Sequence, residues 1–288
     1  MKNLKANSDN HLEVTLTGAC NVLCSYCPQE LYIKKFKEID QREKYTTKRG
    51  MTLGDWKKIL ENVNYTVNDI HFTGYTEPLQ CEEWYEIVAY TLEKGYKVSI
   101  NTTLIGATSS DVKKIIDMNI PVRLHLTDSN KKVDSSIYDQ ILDYKNLQSI
   151  VYFSEKGKNI MQSNTKMSKQ LIRSRGGLIE NSKDPSYIGP VHCVSTRFLS
   201  NVVLPNGDVS VCCSDFGLKN ILGNLKEDSL KKIHSSRKLK EFVIDMETSG
   251  SNSICKKCHY AYPQNKFEQL KFFINKQYLR IFQKFSDV

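Results

Sequence analysis

The sequence predicts a parallel α/β fold, an open or partial (β/α)6 barrel followed by a small module of a different kind. Three observations predict it. β-rich runs alternate with amphipathic stretches from His11 to about Arg175, the rhythm changes near Ser182, and cysteines gather after the first run and again beyond the change. Alternation of this kind calls for parallel strands joined by crossover helices, and five or six such units are too few for a closed eight-fold barrel.

The elements follow in order. His11 to Leu16 is a first strand that runs into Thr17, Gly18 and a cysteine loop. Thr52 is placed to cap a helix whose Trp56, Ile59, Leu60 and Val63 share one face. Ile70 to Thr73 is the second strand, broken by Gly74, and Glu82 to Lys94 is a helix with Gly95 as its terminator. Lys97 to Asn101, Val122 to Thr127 and Ser149 to Phe153 are strands three to five, separated by helices over Ser110 to Met118 and Ser135 to Tyr144. Gln170 to Arg175 is the candidate for strand six. Beyond Ser182, Asn201 to Leu204 and Val209 to Cys212 flank Asn206-Gly207, a hairpin signal. One helical stretch is expected from Ser229 to Met246, and a basic amphipathic helix is expected to close the chain. The expected divisions are 1–181, 182–262 and 263–288.

At 288 residues the chain can bury a sizeable core, and 40% hydrophobic with 25% charged residues excludes collagen, coiled-coil and low-complexity classes. No apolar run approaches the ~18 residues of a bilayer span, and residues 1–10 lack the centre of a secretory signal. A soluble cytoplasmic protein is the expectation. The net charge of +9 sits in two segments, 34–49 and 255–288, with net +4 and +5. Local charge of that kind reads as solvated faces, so no nucleic-acid partner is expected. The last helix packs on the body or touches an anionic membrane surface.

Nine cysteines in a reducing compartment point to metal binding or catalysis, and seven of them are patterned. Cys20, Cys24 and Cys27 stand as Cys-x3-Cys-x2-Cys directly after the first strand. Three thiolates on one compact loop can ligate three irons of a 4Fe-4S cluster and leave the fourth open. Zinc normally requires a fourth ligand, which the loop lacks. With the aromatic Tyr26 before the third cysteine, the string resembles the signature of the radical S-adenosylmethionine (radical SAM) enzymes. The resemblance implies a TIM-like partial barrel and an open iron that holds SAM. Reductive cleavage there gives methionine and a 5′-deoxyadenosyl radical, fed by a flavodoxin- or ferredoxin-type donor.

Chemistry in such barrels gathers at the C-terminal strand ends. Gly74-Tyr75-Thr76-Glu77-Pro78 after strand two resembles the family's Gly-Gly-Glu-Pro element. The resemblance implies that Gly74, Thr76 and Glu77 meet the methionine ammonium of SAM, although Tyr75 and Thr76 depart from the pattern. Asn101 falls in a segment similar to Thr-Asn-Gly and is a further cofactor contact by that likeness. His125 takes the place of a serine that faces the ribose. Arg175, in Ser174-Arg175-Gly176-Gly177, resembles an arginine that points into the site and binds substrate oxygens or the SAM carboxylate.

A second constellation comprises Cys193, Cys212, Cys255 and Cys258. The hairpin folds the chain so that Cys193 and Cys212 approach one centre, and Cys-x2-Cys supplies two more ligands. The spacing resembles the twitch form of the SPASM module, which implies one auxiliary 4Fe-4S cluster; a four-cysteine zinc site uses the same ligand types. Cys81 and Cys213 are spare thiols. Among twitch-bearing members, the spacing is similar to that of dehydrogenases acting on aminocyclitol alcohols. That implies oxidation of an alcohol carbon in a sugar-like small molecule, with the auxiliary cluster taking the second electron. The competing readings are modification of a ribosomal peptide and a non-enzymatic electron carrier.

Overall fold

The computed structural model describes residues 11–63, 67–131, 133–160, 167–179, 186–194 and 197–265. Strand β1 (His11–Val14) leads through the cysteine loop to helices α1 (Gln29–Ile39), α2 (Glu43–Thr46) and α3 (Leu53–Glu61). Then β2 (Asp69–Phe72), α4 (Trp84–Glu93), β3 (Lys97–Thr102), α5 (Ser109–Asp117), β4 (Val122–Leu126), α6 (Ser135–Leu142), β5 (Leu147–Tyr152), α7 (Glu155–Lys158) and β6 (Met167–Lys169) alternate. All five pairings from β1 to β6 are parallel and in chain order, which is the expected six-unit core.

Sequence and structure part company in three places. The sixth strand is Met167–Lys169, not Gln170 to Arg175, because residues 175–177 all take positive φ, which no strand accommodates. The stretch 229–246 is two helices, α8 (Leu230–His234) and α9 (Arg237–Glu247), divided where the Ser236 side chain accepts from Leu239 N and caps the second. The basic segment after Cys27 contains α1 and α2, which the sequence reading left without structure. The expected last helix falls on 266–288, outside the described residues.

The hairpin forms as expected, with Gly207 at φ +93° in its turn, and it joins the main sheet. Strand β7 (Val191–Cys193) precedes β8 (Val202–Val203), β9 (Asp208–Ser210) and β10 (Ile221–Asn224), and β11 (Ala261–Pro263) later pairs with β7. β8 lies parallel to β1 while β9 and β10 continue antiparallel, so a single sheet runs β10-β9-β8-β1-β2-β3-β4-β5-β6 among the described residues.

Alternation along these strands makes two unlike faces. Leu12, Val14, Ile70, Phe72, Ile100, Val122, Leu124 and Ile150 are buried in one core, and each fully buried aliphatic contributes about 2 kcal/mol. The alternate positions, among them Glu13, His71, Asn101 and His125, are polar. Parallel sheets usually carry apolar residues on both faces. A polar inner face therefore marks a site.

Thr52 caps α3 in a capping box with Asp55, as its sequence position suggests. Asp55 then does a second job. Its carboxylate accepts from Lys226 (2.8 Å), Lys44 (3.0 Å) and Tyr45 (2.9 Å), which joins α3 and α2 to the segment after β10. Burial acts to raise this carboxyl, but the hydrogen bonds from Lys226 and Lys44 outweigh it and hold it well below the ordinary range. A depressed folded value stabilises the protein above the unfolded value of about 3.9, and the benefit is lost as pH falls through the folded value. Asp55→Asn is expected to lower the urea midpoint at neutral pH, with the gap to the parent closing as the pH is taken below about 4. A gap that stays constant down to acid pH contradicts this account.

Candidate active site

The cysteine loop is held at both ends. Met51 N donates to Leu16 O at 2.7 Å and Gly18 N to Tyr45 O at 2.7 Å, so α2 and its flank clamp the start of the loop. Asn21 and Gln80 hydrogen-bond reciprocally, and Ser25 donates through backbone and hydroxyl to Asp128 beyond β4. Thr127 Oγ1 donates to Cys24 Sγ at 2.9 Å. Burial pushes Cys20 up to about 11 and Cys27 up to about 12, the latter also through the neighbouring Cys24 and against the pull of Arg175. Cys20 feels the charge of Cys24, and Cys27 feels those of Cys24 and Cys20, so the three lie near one another on the loop. Thiols so placed ionise when a metal takes them.

The loop after β2 is folded against this one. Gly74 takes φ +76°, and a Cβ there would collide with Thr15 Oγ1. Thr76 Oγ1 donates to Thr17 O at 3.2 Å, tying the two loops together. Glu77 is 4% exposed, and its carboxylate accepts from Thr102 Oγ1 (2.6 Å), Thr103 N and Oγ1 (both 2.7 Å) and Leu79 N (3.3 Å). Burial raises this carboxyl, while those four donors oppose the rise. Four donors match the roughly four acceptor sites of a carboxylate, so Glu77 here clasps the ends of β2 and β3. Asn101, half-buried, donates to Thr73 Oγ1 at 3.3 Å along the same rim.

Across the sheet, the Tyr26 ring lies 4.4 Å from that of Phe153, and its hydroxyl hydrogen-bonds with Cys24. The His125 ring is 6.2 Å from Phe153, and its Nε2 is buried with no hydrogen-bond partner among the described residues. Burial, with the charges of Arg123 and Arg175, pushes His125 down to about 4, so it is neutral near pH 7. Arg175 stands in a bend at φ +50° with its guanidinium 5.8 Å from the Phe216 ring centre, and its charge reaches both Cys27 and His125. The Arg175 guanidinium thus lies within electrostatic reach of both the neutral imidazole and the three-cysteine loop.

The second constellation also comes together. Cys193, Cys212, Cys255 and Cys258 line a single cavity with Phe198 and Phe242. Cys255 is pushed up to about 12 by burial and then by Cys258, and it also feels Cys193; Cys212 feels Cys255 and Cys258. Cys213, expected to be a bystander, reaches the same cavity. Among the described residues no three His, Cys, Asp or Glu side chains converge as ligands of one metal ion do. A tetrahedral zinc with bonds of ~2.3 Å draws its sulfurs to about 3.8 Å of one another. A cubane carries one thiolate on each of four irons and keeps them farther apart. By ligand type, the four thiols lining this cavity suit either centre.

The structure therefore brings the seven patterned cysteines into two groups; Gly74, Thr76, Glu77 and Asn101 stand at or just beyond the ends of β2 and β3, Tyr26 is on the cysteine loop, His125 lies within β4, and Arg175 comes after the end of β6. Sequence reasoning missed Thr127, Phe153, Gln80 and Asp128, which position the cysteine loop. Their signal was weak, since each acts on a residue far away in the chain.

Parallel core, three-cysteine loop and four-cysteine cavity are together the arrangement expected of a radical SAM enzyme with a C-terminal auxiliary-cluster module. Residues 193–259 match the SPASM family, an iron-sulfur cluster-binding domain. The chain is 24% identical over 255 residues to the S-adenosyl-L-methionine-dependent 2-deoxy-scyllo-inosamine dehydrogenase of Niallia circulans, covering 86% of this chain and 92% of that one. Its fold is similar to that of BtrN in complex with AdoMet and 2-DOIA, with a TM-score of 0.58 and 20% identity over 91% of this chain and 95% of that one. It is also similar to anSMEcpe with bound AdoMet, with a TM-score of 0.56 and 14% identity over 97% and 96% of the two chains. Residues 193–259 thus match a cluster-binding domain, and both of those solved structures hold AdoMet. Among the described residues no helix is long and apolar enough to cross a membrane.

Proposed function

We propose that this enzyme oxidises an alcohol carbon of a small aminocyclitol- or sugar-like molecule to a ketone. The observation that carries the reading is the four-cysteine cavity: four thiols can occupy every iron of a cluster, which suits it to accepting an electron and not to binding SAM. The 24% identity to an aminocyclitol dehydrogenase supports the same reading. Bound, the cofactors would supply a 5′-deoxyadenosyl radical to remove the carbinol hydrogen and an acceptor for the remaining electron, with the hydroxyl proton leaving to solvent.

The chain's own residues bind and orient. Cys20, Cys24 and Cys27 hold the SAM-binding cluster, with Thr127 and Tyr26 fixing the Cys24 sulfur. Gly74 brings the backbone of the β2 loop close to the cysteine loop, Thr76 and Asn101 line its rim, and Glu77 keeps that loop rigid. Arg175, beside Cys27 and His125, is placed to hold substrate oxygens as a bidentate donor. His125, neutral and half-buried, can accept from a hydroxyl.

The test is anaerobic turnover of the reconstituted enzyme with SAM, dithionite and 2-deoxy-scyllo-inosamine deuterated at its carbinol carbons. Deuterium in 5′-deoxyadenosine together with a ketone product is the expected result. Label transfer without a ketone removes the oxidation. Cys255→Ala is expected to retain at least about half of the SAM cleavage and to lose ketone formation by about tenfold or more, since only the acceptor's ligand is gone. Equal ketone yield overturns the acceptor role.

A further inference from the structure

Tyr75 stands where the Gly-Gly-Glu-Pro-like element calls for glycine, and no step of the proposed reaction uses it. It is 2% exposed, too buried to serve as a surface residue. Its backbone N–H donates to Thr15 Oγ1 at 3.0 Å, which anchors it beside Gly74 at the end of β1. Its ring stacks on Tyr32 of α1 at 4.8 Å and meets the Phe216 ring edge-on at 4.8 Å. At the far end its hydroxyl donates to the Cys212 carbonyl at 2.8 Å and lies 2.9 Å from Ser210 Oγ. Tyr75 thus spans from the loop expected to cradle SAM to the backbone of a cysteine in the second cavity.

We propose that Tyr75 is a positioning residue for the auxiliary cluster: by holding the Cys212 carbonyl it fixes that ligand, and with it the cluster, at a set place relative to the SAM site. The inference rests on the reading of Cys193, Cys212, Cys255 and Cys258 as the auxiliary ligands. The Cys212 carbonyl has two donors, the Tyr75 hydroxyl and Asp215 N at 3.0 Å, and a carbonyl that loses the first is held from one side only and turns toward the second. The Cys212 sulfur moves with it, and the surroundings of a cluster's sulfurs set its potential.

The full chain with Cys20, Cys24 and Cys27 replaced by alanine, reconstituted with iron and sulfide, isolates the auxiliary site for measurement. It is expected to hold about four irons with or without Tyr75→Phe. Tyr75→Phe keeps the ring packing and is expected to shift both the g values of the reduced cluster and its midpoint potential. Ser210→Ala, which removes the hydroxyl's other partner, is expected to leave both unchanged. Unshifted g values and midpoint in Tyr75→Phe overturn the proposal, as does an equal shift in Ser210→Ala. Iron lost from Tyr75→Phe but kept by Ser210→Ala implicates the same bond to Cys212, whereas iron lost from both overturns it. Absence of iron before Tyr75 is altered refutes the ligand reading itself, an outcome distinct from an unshifted spectrum.

Discussion

Cys24→Ala is expected to cut 5′-deoxyadenosine formation by about a thousandfold or more and to lower iron from about eight to about four per chain. The thousandfold figure follows from what surrounds the sulfur. Loss of an outer partner of a metal ligand typically costs 10–100-fold, and Cys24 is the ligand on which such partners converge. Thr127 donates to its sulfur at 2.9 Å, Tyr26 reaches it through its hydroxyl, and Cys27 N donates to its carbonyl at 3.2 Å. Alanine keeps the turn and removes the sulfur. Anaerobic chromatography of the nucleoside and colorimetric iron analysis check the two numbers separately. Eight irons retained, with nucleoside still formed, would show that the loop does not hold the cluster.

The second large effect is on stability. Gly74→Ala is expected to cost about 3 kcal/mol, from overpacking of about 1–3 kcal/mol and a left-handed residue costing about 1–2 kcal/mol. The residue takes φ +76°, and a Cβ would strike Thr15 Oγ1, the atom that accepts from Tyr75 N. Any shift that relieves the collision therefore loosens the β2 loop from β1. The neighbour is the short Thr15 side chain, whose own Cβ and Cα would lie 3.0 and 3.3 Å away, so there is little slack. Urea unfolding followed by circular dichroism reads the loss. A midpoint equal to that of the parent shows that the loop gives way at no cost.

Much of this was legible in advance, for physical reasons that differ by element. The first five parallel strands were readable because each is a compact β-rich run bounded by turn residues, and the Thr52 cap because its partner Asp55 lies three residues on. The two cysteine groups were readable because metal ligation fixes residue type as well as spacing. Strand six was misplaced because β-rich Gln170 to Arg175 runs into residues 175–177, whose left-handed backbone is dictated by packing and not by local preference. The division of 229–246 was missed because an apolar stripe hides a serine cap. Tyr75 could be flagged only as a departure from a pattern, since its partners Ser210 and Cys212 lie 135 and 137 residues away. Long-range hydrogen bonds leave no periodic trace.

The placing of β8 against β1 has a consequence for how the molecule is made. Glu13 N bonds to Asn201 O and Thr15 N to Val203 O, so one side of the first strand waits for residues about 190 positions downstream. Pairings that distant form late and slowly. While the ribosome is still at work, the opening strand has a bare edge able to pair with other chains. The nascent protein therefore passes through an aggregation-exposed interval, and a chaperone that shields that edge until the hairpin emerges would raise the yield of chains ready to receive their iron.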